Sequence, residues 1–321
     1  MKKIALEDNT YGYTSEYRKI DPGYLIKTEK CGCCEGTEFT KLLPANEECG
    51  INFIRCSRCG AVTYDKVYTL EGLDRIYSDK NYYVSSDAGG DANVTFYGTE
   101  RFARHLVSLI GKDRIKKKEL SILDFGGGGG ELSYSTACEL RRICGAEKID
   151  ILVVDYTEDI VKSEDEKITL SHAFPLDSVT REGFDIVIAS AVLEHLHEPG
   201  TVMKRLFDMT AGGGYIYFRT PLMFPMYKFM SHFGVLMDMD YPQHMWDFDR
   251  RWWETVVANL GYDRKGIRLV KSRPSIVERT FRSGFFKALA AHVLKAPAFI
   301  FRKWQFVGGW ETLFIKDEKQ N

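Results

Sequence analysis

The chain has 321 residues, 44% hydrophobic and 28% charged, with a formal net charge of -1 at pH 7. That composition can bury a sizeable core in one large domain with smaller additions, which excludes a disordered chain. It supplies no global basic field, so nucleic acid would need a local patch. The start, "MKKIALEDNTYGYTSEYRK", has no apolar signal core, and no run approaches the ~18 apolar residues of a membrane span; a cytoplasmic chain is expected.

Six of the eight cysteines fall between residues 31 and 59. Without an export signal, clustered cysteines read as metal ligands rather than disulfides. Cys31 with Cys34, and Cys56 with Cys59, form two CxxC knuckles separated by 21 residues. Each knuckle aims two sulfurs at one point, which predicts a four-cysteine zinc ribbon over about 28–65. Either Cys33 or Cys49 can substitute for a ligand, and ordinary buried or redox-active thiols are the alternative. Four protein ligands leave no open position, so the zinc would be structural, and its loss is expected to spare cofactor binding.

A short helix around 70–77 and a long polar loop follow. "TERFARHLVSLI" has Phe102, Leu106, Leu109 and Ile110 at helical spacing, with Thr99 as N-cap. The reading is an N-terminal module over 1–97 and a catalytic domain over 98–321. Beyond residue 118, strands are expected at 120–125, 149–155, 184–189 and 214–219, and helices near 131–144, 200–210 and 249–260. Continuous apolar strands alternating with helices predict an α/β fold, a doubly wound, mostly parallel sheet covered on both faces. Ligands bind such sheets outside the carboxyl ends of the strands.

"LDFGGGGGEL" ends the first of these strands at Asp124. Gly126, Gly128 and Gly130 would let the chain turn tightly and bring backbone amides near a cofactor, with a helix N-terminus behind. The run lacks a Gly-Lys-Ser/Thr ending, which excludes a Walker A loop. Asp155 ends the next strand, 27 residues beyond Gly128, where an acid can accept from both hydroxyls of a ribose.

Taken in order, "LDFGGGGGEL", "VVDYTED", "FDIVIASAVLEHLHEP" and "GGGYIYFRTP" resemble the successive motifs of class I S-adenosylmethionine-dependent methyltransferases over about 98–265. The resemblance implies a seven-stranded Rossmann-like sheet. It also implies that Asp124 and Phe125 through Gly126, Gly127 and Gly128 hold the methionine end of S-adenosylmethionine. By the same resemblance Asp155 takes the ribose, Tyr156 packs near the adenine, Ala173 and Phe174 meet the adenine edge, and Ala189 and Ser190 line the methionine side. The cysteine module followed by "IYSDKNYY" is similar to the N-terminal part of bacterial sugar and surface-glycan methyltransferases. The chain departs from the C-methylating members in showing no additional large C-terminal domain, so O-methylation is expected, with sugar C-methylation as an alternative.

A hydroxyl nucleophile benefits from a general base. His195 in "LEHLHEP" and His244 in "YPQHMWDFDRRWW" are the candidates, with Asp247 and Tyr241 placed to orient His244; structural histidines are the bland reading of both. The insert at 221–246 reads as a lid over the acceptor or as packing. The insert at 276–305 carries Phe281, Phe285, Leu289 and Val293 on one face, with Arg282, Lys287, Lys295, Arg302 and Lys303 around it. A basic amphipathic segment over 281–305 can lie on a membrane surface, packing or dimerisation being the alternative. An RNA base methyltransferase with a zinc finger is the other enzyme reading, although only "KDRIKKK" at 112–118 offers a basic cluster. A scaffold that binds the cofactor without reaction is the non-enzymatic one. The expected partner is a small-molecule or glycan acceptor.

Overall fold

The structure, a computed structural model, describes residues 4–5, 20–78, 99–236, 241–276, 289, 292–301 and 304–318. In the cysteine-rich part, β1 (Phe39–Asn46) pairs antiparallel with β2 (Ile51–Cys56), and β3 (Val62–Tyr64) adds to the other edge of β2. Leu25–Lys27 pairs with Lys66–Tyr68, and helix α1 (Leu70–Ser78) follows. Gly60 closes the second knuckle at φ +80 with nothing near its would-be Cβ, so conformation alone requires glycine there. The expected domain boundary near 97 lies outside the described residues.

From α2 (Thr99–Ile110) onward the chain alternates β4 (Glu119–Phe125), α3 (Glu131–Cys144), β5 (Lys148–Val154), β6 (Ile168–Ala173), β7 (Phe184–Ser190), α4 (Pro199–Met209) and β8 (Thr210–Leu222). After α5 (Phe224–Ser231) and α6 (Arg250–Asn259), β9 (Ile267–Pro274) and β10 (Gly308–Lys316) close the sheet as a hairpin. The order is β9-β10-β8-β7-β4-β5-β6, with β10 antiparallel to both neighbours and every other pair parallel. This is the expected mostly parallel seven-stranded sheet. β6 had no sequence forecast because only Ile168 of its six residues is buried, so an edge strand shows no apolar run. Thr99 is the first residue of α2 rather than the residue before it. Strand order reverses between β4 and β7, and that reversal opens a crevice at their carboxyl ends.

Both faces of the sheet are buried. Ile122, Ile151, Ile186 and Tyr217 pack under α2 and α3, whereas Leu123, Val187, Phe218 and Phe314 join α4, α6 and the cysteine-rich module in one apolar cluster. The module is thus packed into the core of the sheet domain. The Gly200 amide at the start of α4 donates to the Gly32 carbonyl at 3.0 Å. A Cβ on Gly32 would lie 2.2 Å from the His197 carbonyl oxygen, and one on Gly200 2.2 Å from that of Cys33. Val62 and Asp247 exchange backbone hydrogen bonds of 3.2 and 3.0 Å, and Thr63 Oγ1 donates to the Met245 carbonyl at 2.8 Å. Phe53 meets Phe224 and Tyr227 at ring distances of 5.1 and 4.8 Å. The strand that follows the second knuckle therefore also fixes the backbone beside His244, which couples the cysteine-rich module and the sheet domain more closely than the sequence suggested.

In the insert at 221–246, α5 and Val235–Leu236 are described. In the insert at 276–305, Leu289 and Val293 are exposed, while Phe281, Arg282, Phe285, Lys287, Arg302 and Lys303 lie outside the described residues. Lys295 departs from the expected basic face: its Nζ donates to the Ser275 carbonyl at 2.9 Å. Among the described residues, no helix is long and apolar enough to cross a membrane.

Gly200→Ala should lower unfolding stability by about 1 to 3 kcal/mol, because its methyl group would meet the Cys33 backbone rather than a side chain able to turn away. Denaturant titration checks this; stability equal to wild type would show that the ribbon can shift on α4 without cost.

Candidate functional site

At the carboxyl end of β4 the chain turns through a run of glycines. Gly126, Gly128 and Gly130 take φ of +67, +56 and +84. The reasons they are glycine differ. A Cβ on Gly126 would sit 2.4 Å from Val192 Cγ2, one on Gly127 2.4 Å from the Asp124 carboxylate, and one on Gly130 2.8 Å from Val153 Cγ2. Only Gly128, among these four, faces open space, with nothing within 4 Å. Most of the run is therefore demanded by the chain's own packing, and one position opens the crevice. Behind it, α3 starts at Gly130 with no side-chain cap, which leaves its first amides to the loop.

The Gly128 amide donates to Asp155 Oδ2 at 2.8 Å, and Asp155 Oδ1 accepts from the Thr157 amide at 3.0 Å. These bonds hold the carboxylate at the end of β5 beside the turn. Asp124 is 1% exposed, and its Oδ2 is buried without a hydrogen-bond partner. Burial first, and then the Asp155 charge, push its carboxyl up to about 6 against the pull of Ser133. A buried carboxylate oxygen left unmatched at a turn that faces a crevice fits a polar ligand group there. Phe125 is buried beneath the turn.

Further along the sheet edge, Tyr156 and Phe174 are 54% and 45% exposed, and their rings lie 4.2 Å apart. They form an open aromatic pair beside Asp155. The Tyr156 hydroxyl reaches Asp74 Oδ1 of α1 at 3.4 Å, and His172 Nε2 meets the Asp155 carbonyl at 2.8 Å. Ala173 precedes Phe174 at the end of β6. Ala189 is fully buried and Ser190 half-buried at the end of β7. Asp124, Gly126–Gly128, Asp155, Tyr156, Phe174 and Ser190 thus share one rim of the sheet.

Just past Ser190, Ala191 adopts φ +57, a left-handed conformation that a residue with Cβ takes at a cost, and its amide donates to the Arg219 carbonyl at 2.8 Å. The bend drops Val192 onto Gly126 and starts a short turn, Leu193–His195. His195 and His244 come together there, ring centroids 4.6 Å apart at 67°. Glu194 is 1% exposed, its Oε1 lies 3.9 Å from His195 Nε2, and its Oε2 is buried without a partner. Burial pushes Glu194 up to about 8, against the Arg219 guanidinium. Burial also pulls His195 down to about 4 and His244 well below its usual value, so both rings are neutral at pH 7.

The pairing of His195 with His244 joins two segments that sequence spacing could not connect. Asp247 and Tyr241 have other uses than orienting His244. Asp247 Oδ2 accepts from the Met223 and Phe224 amides at 2.6 and 2.9 Å, and the Tyr241 hydroxyl donates to the Lys66 carbonyl at 2.9 Å. Glu194 escaped the sequence reading because its neighbour His195 carried the only recognisable chemistry; its burial is the signal, and burial is tertiary.

In the cysteine-rich module, the sulfurs of Cys31, Cys34, Cys56 and Cys59 all lie within 4.8 Å of one another, with Cys31–Cys59 at 3.7 Å and Cys34–Cys56 at 3.5 Å. Tetrahedral zinc–thiolate bonds of about 2.3 Å would place sulfurs roughly 3.8 Å apart, so the donor set fits zinc. Cys33 is also buried, while Cys49 is only half-buried beside the β1–β2 turn.

Comparison with known proteins bears on the sheet domain. A ubiquinone biosynthesis O-methyltransferase of Pseudomonas putida is 30% identical over 118 residues, 36% of this chain and 46% of that protein. Its counterpart in Pseudomonas fluorescens is 30% identical over 112 residues, 34% of this chain and 47% of that one. The chain thus spans about half the length of the curated relatives it matches. Among solved structures, the plantazolicin methyltransferase BpumL, in complex with a triazolic desmethylPZN analog and SAH, superposes with a TM-score of 0.52 at 15% identity, covering 77% of this chain and 95% of that one. At that identity the likeness is one of fold. The family model described as a methyltransferase domain matches residues 97–264, just over half of the chain. A match of that extent, laid over this sheet order, makes the chain a member of the methyltransferase-domain family, with the Rossmann-like fold of that family.

Proposed function

We propose that the enzyme O-methylates a hydroxyl of a small-molecule acceptor, a sugar or surface glycan by preference. The observation that carries the choice of oxygen is the Glu194–His195–His244 cluster beside the turn. A sulfonium methyl group is already electrophilic, so transfer needs alignment and exclusion of water. An alcohol must in addition lose a proton, whereas a neutral amine or a thiolate already offers a lone pair. His195 and His244 are the groups we assign to activating that hydroxyl. As the C–O bond forms, the S–CH3 electron pair returns to sulfur and the hydroxyl proton leaves to solvent.

On the cofactor side, Asp124, Phe125 and Gly126–Gly128 are assigned to the methionine end, with Ala189 and Ser190 lining it. Asp155 is assigned to the ribose, and Tyr156, Ala173 and Phe174 to the adenine. The four-cysteine site is assigned a structural zinc. The ribbon-bearing N-terminus supports the glycan acceptor. A phenolic hydroxyl is the second reading, supported by the curated relatives named for ubiquinone biosynthesis. Exposed Phe299, Ile300 and Phe301 support a peripheral membrane contact within 281–305.

Three measurements test this reading. Gly128→Ala should keep most of the stability, the left-handed Cβ costing about 1 to 2 kcal/mol, yet weaken cofactor binding, because the methyl group enters the crevice. Gly126→Ala should instead mainly destabilise the fold through Val192. Calorimetry and denaturant titration of both variants separate the effects, and the opposite pattern would remove Gly128 from the site.

The Asp124 carboxyl, raised to about 6 by burial, should be ionised to hold a cationic methionine end. Affinity should therefore fall below pH 6, by up to about tenfold per unit. Asp124→Asn should flatten that profile. For the unliganded fold the sign is reversed: a raised folded pKa stabilises below about pH 4, and that contribution is lost as pH rises through 6.

Incubation with methyl-labelled cofactor and separate pools of nucleotide sugars, lipid-linked glycans, phenols and RNA should label a hydroxyl-bearing small molecule. With that acceptor, His244→Ala should slow turnover by about 10² to 10⁴ at unchanged cofactor affinity. Label confined to RNA, or to carbon or nitrogen of the acceptor, would overturn O-methylation.

A further inference from the structure

The Glu194–His195–His244 cluster has a composition that a lone catalytic base does not require. One carboxylate and two imidazoles present ligand atoms that all lie within 4.8 Å of one another. Zinc–nitrogen bonds of about 2.0 to 2.1 Å would ask for roughly 3.4 Å between ligands, so small side-chain rotations suffice to converge on one ion. The His195 Nε2 to Glu194 Oε1 distance is already 3.9 Å.

A second observation is independent of that spacing. Glu194 is 1% exposed, and its Oε2 has no hydrogen-bond partner. A buried carboxylate oxygen without a partner is costly unless a cation or donor meets it. Support behind the ligands is also present. The His195 ring is hydrogen-bonded to the Gln243 backbone, as a metal-bound histidine is commonly held by its other nitrogen. The Met245 amide donates to the Glu194 carbonyl at 2.7 Å, tying the two ligand-bearing segments together. Both imidazoles are partly open while Glu194 lies beneath them. The four-cysteine site is closed by its own ligands, whereas this one keeps positions for an acceptor.

We infer that Glu194, His195 and His244 bind a divalent transition-metal cation at the acceptor side of the methyl-transfer site. Imidazole and carboxylate donors suit manganese, iron(II) or zinc better than a thiolate-seeking ion. The inference rests on the hydroxyl-acceptor reading and deepens it: the cation binds the acceptor oxygen and acidifies its hydroxyl, so that the proton passes to water. The two histidines act as ligands rather than as the proton acceptor.

Full-length protein, its cysteines left as purified, is titrated with Mn2+, and free Mn2+ is followed by electron paramagnetic resonance. Thiolates are poor ligands for Mn2+, so the ribbon does not compete. We expect one Mn2+ per chain, with affinity lowered at least tenfold in Glu194→Gln and in His244→Ala and unchanged in Cys56→Ser. S-adenosylmethionine affinity, measured on each variant, reports whether it is folded. Where His244→Ala fails that check, His244→Gln replaces it. Elemental analysis of the protein as purified provides a reading that needs no variant: more than one metal per chain supports the site. Wild-type protein that binds neither Mn2+ nor any metal beyond the zinc of the ribbon overturns it, as does Mn2+ binding indifferent to both substitutions. If label reaches a hydroxyl without metal binding, the metal site falls and the O-methylation reading stands. Metal binding with label only on carbon, nitrogen or RNA does the reverse.

Discussion

The structure depends on one backbone constraint, the left-handed turn by which the chain leaves β4. Between Asp124 and Gly130 the backbone takes positive φ at three positions, which only residues without Cβ adopt without strain. The turn leaves open space where a Gly128 Cβ would lie, holds Asp155 through the Gly128 amide, and leads into α3. It also creates the hollow at Gly126 that Val192 fills. Through Val192 the same turn bears on the position of Glu194 and His195, so the glycine turn and the carboxylate–imidazole cluster are mechanically linked.

The second support is the cysteine-rich module. Its β3 strand bridges to Asp247, its Thr63 hydroxyl holds the Met245 carbonyl, and its Phe53 packs against Phe224 and Tyr227 of α5. Those contacts bracket His244. The connection between β8 and α6 is also held by its own aromatic residues, Phe248 lying 4.1 Å from the Trp252 ring of α6. The module therefore supports the segment that carries His244, and a metal held by its four sulfurs would stiffen that support from a distance.

Two donor clusters of different character thus flank the seam between module and domain. Four sulfurs close one completely, and a half-buried carboxylate–imidazole group leaves the other open. The chemical contrast matches the mechanical one, since a closed site can only hold structure together and an open one can meet a substrate.

Much of this was legible in the residues alone. Periodicity located β4, β5, β7, β8, α3, α4 and α6 because strands buried on both faces are uninterrupted apolar runs. Knuckle spacing marked Cys31, Cys34, Cys56 and Cys59, since a CxxC turn is a local geometry, and the glycine run marked the crevice for the same reason. Sequence could not supply what depends on surfaces meeting. β6 was hidden by its exposed edge. Asp247 and Tyr241 looked like supports for His244 until packing turned them toward α5 and Lys66. Nor could sequence show that a Cβ at Gly126, Gly127 or Gly130 would meet Val192, Asp124 or Val153. By itself the sequence determined the fold class, the turn and the cysteine knuckles, because each is encoded within a few consecutive residues. Only the tertiary structure decided that Glu194 would be buried with an unmatched oxygen and that His244 would arrive beside His195, because those facts exist only once distant segments pack.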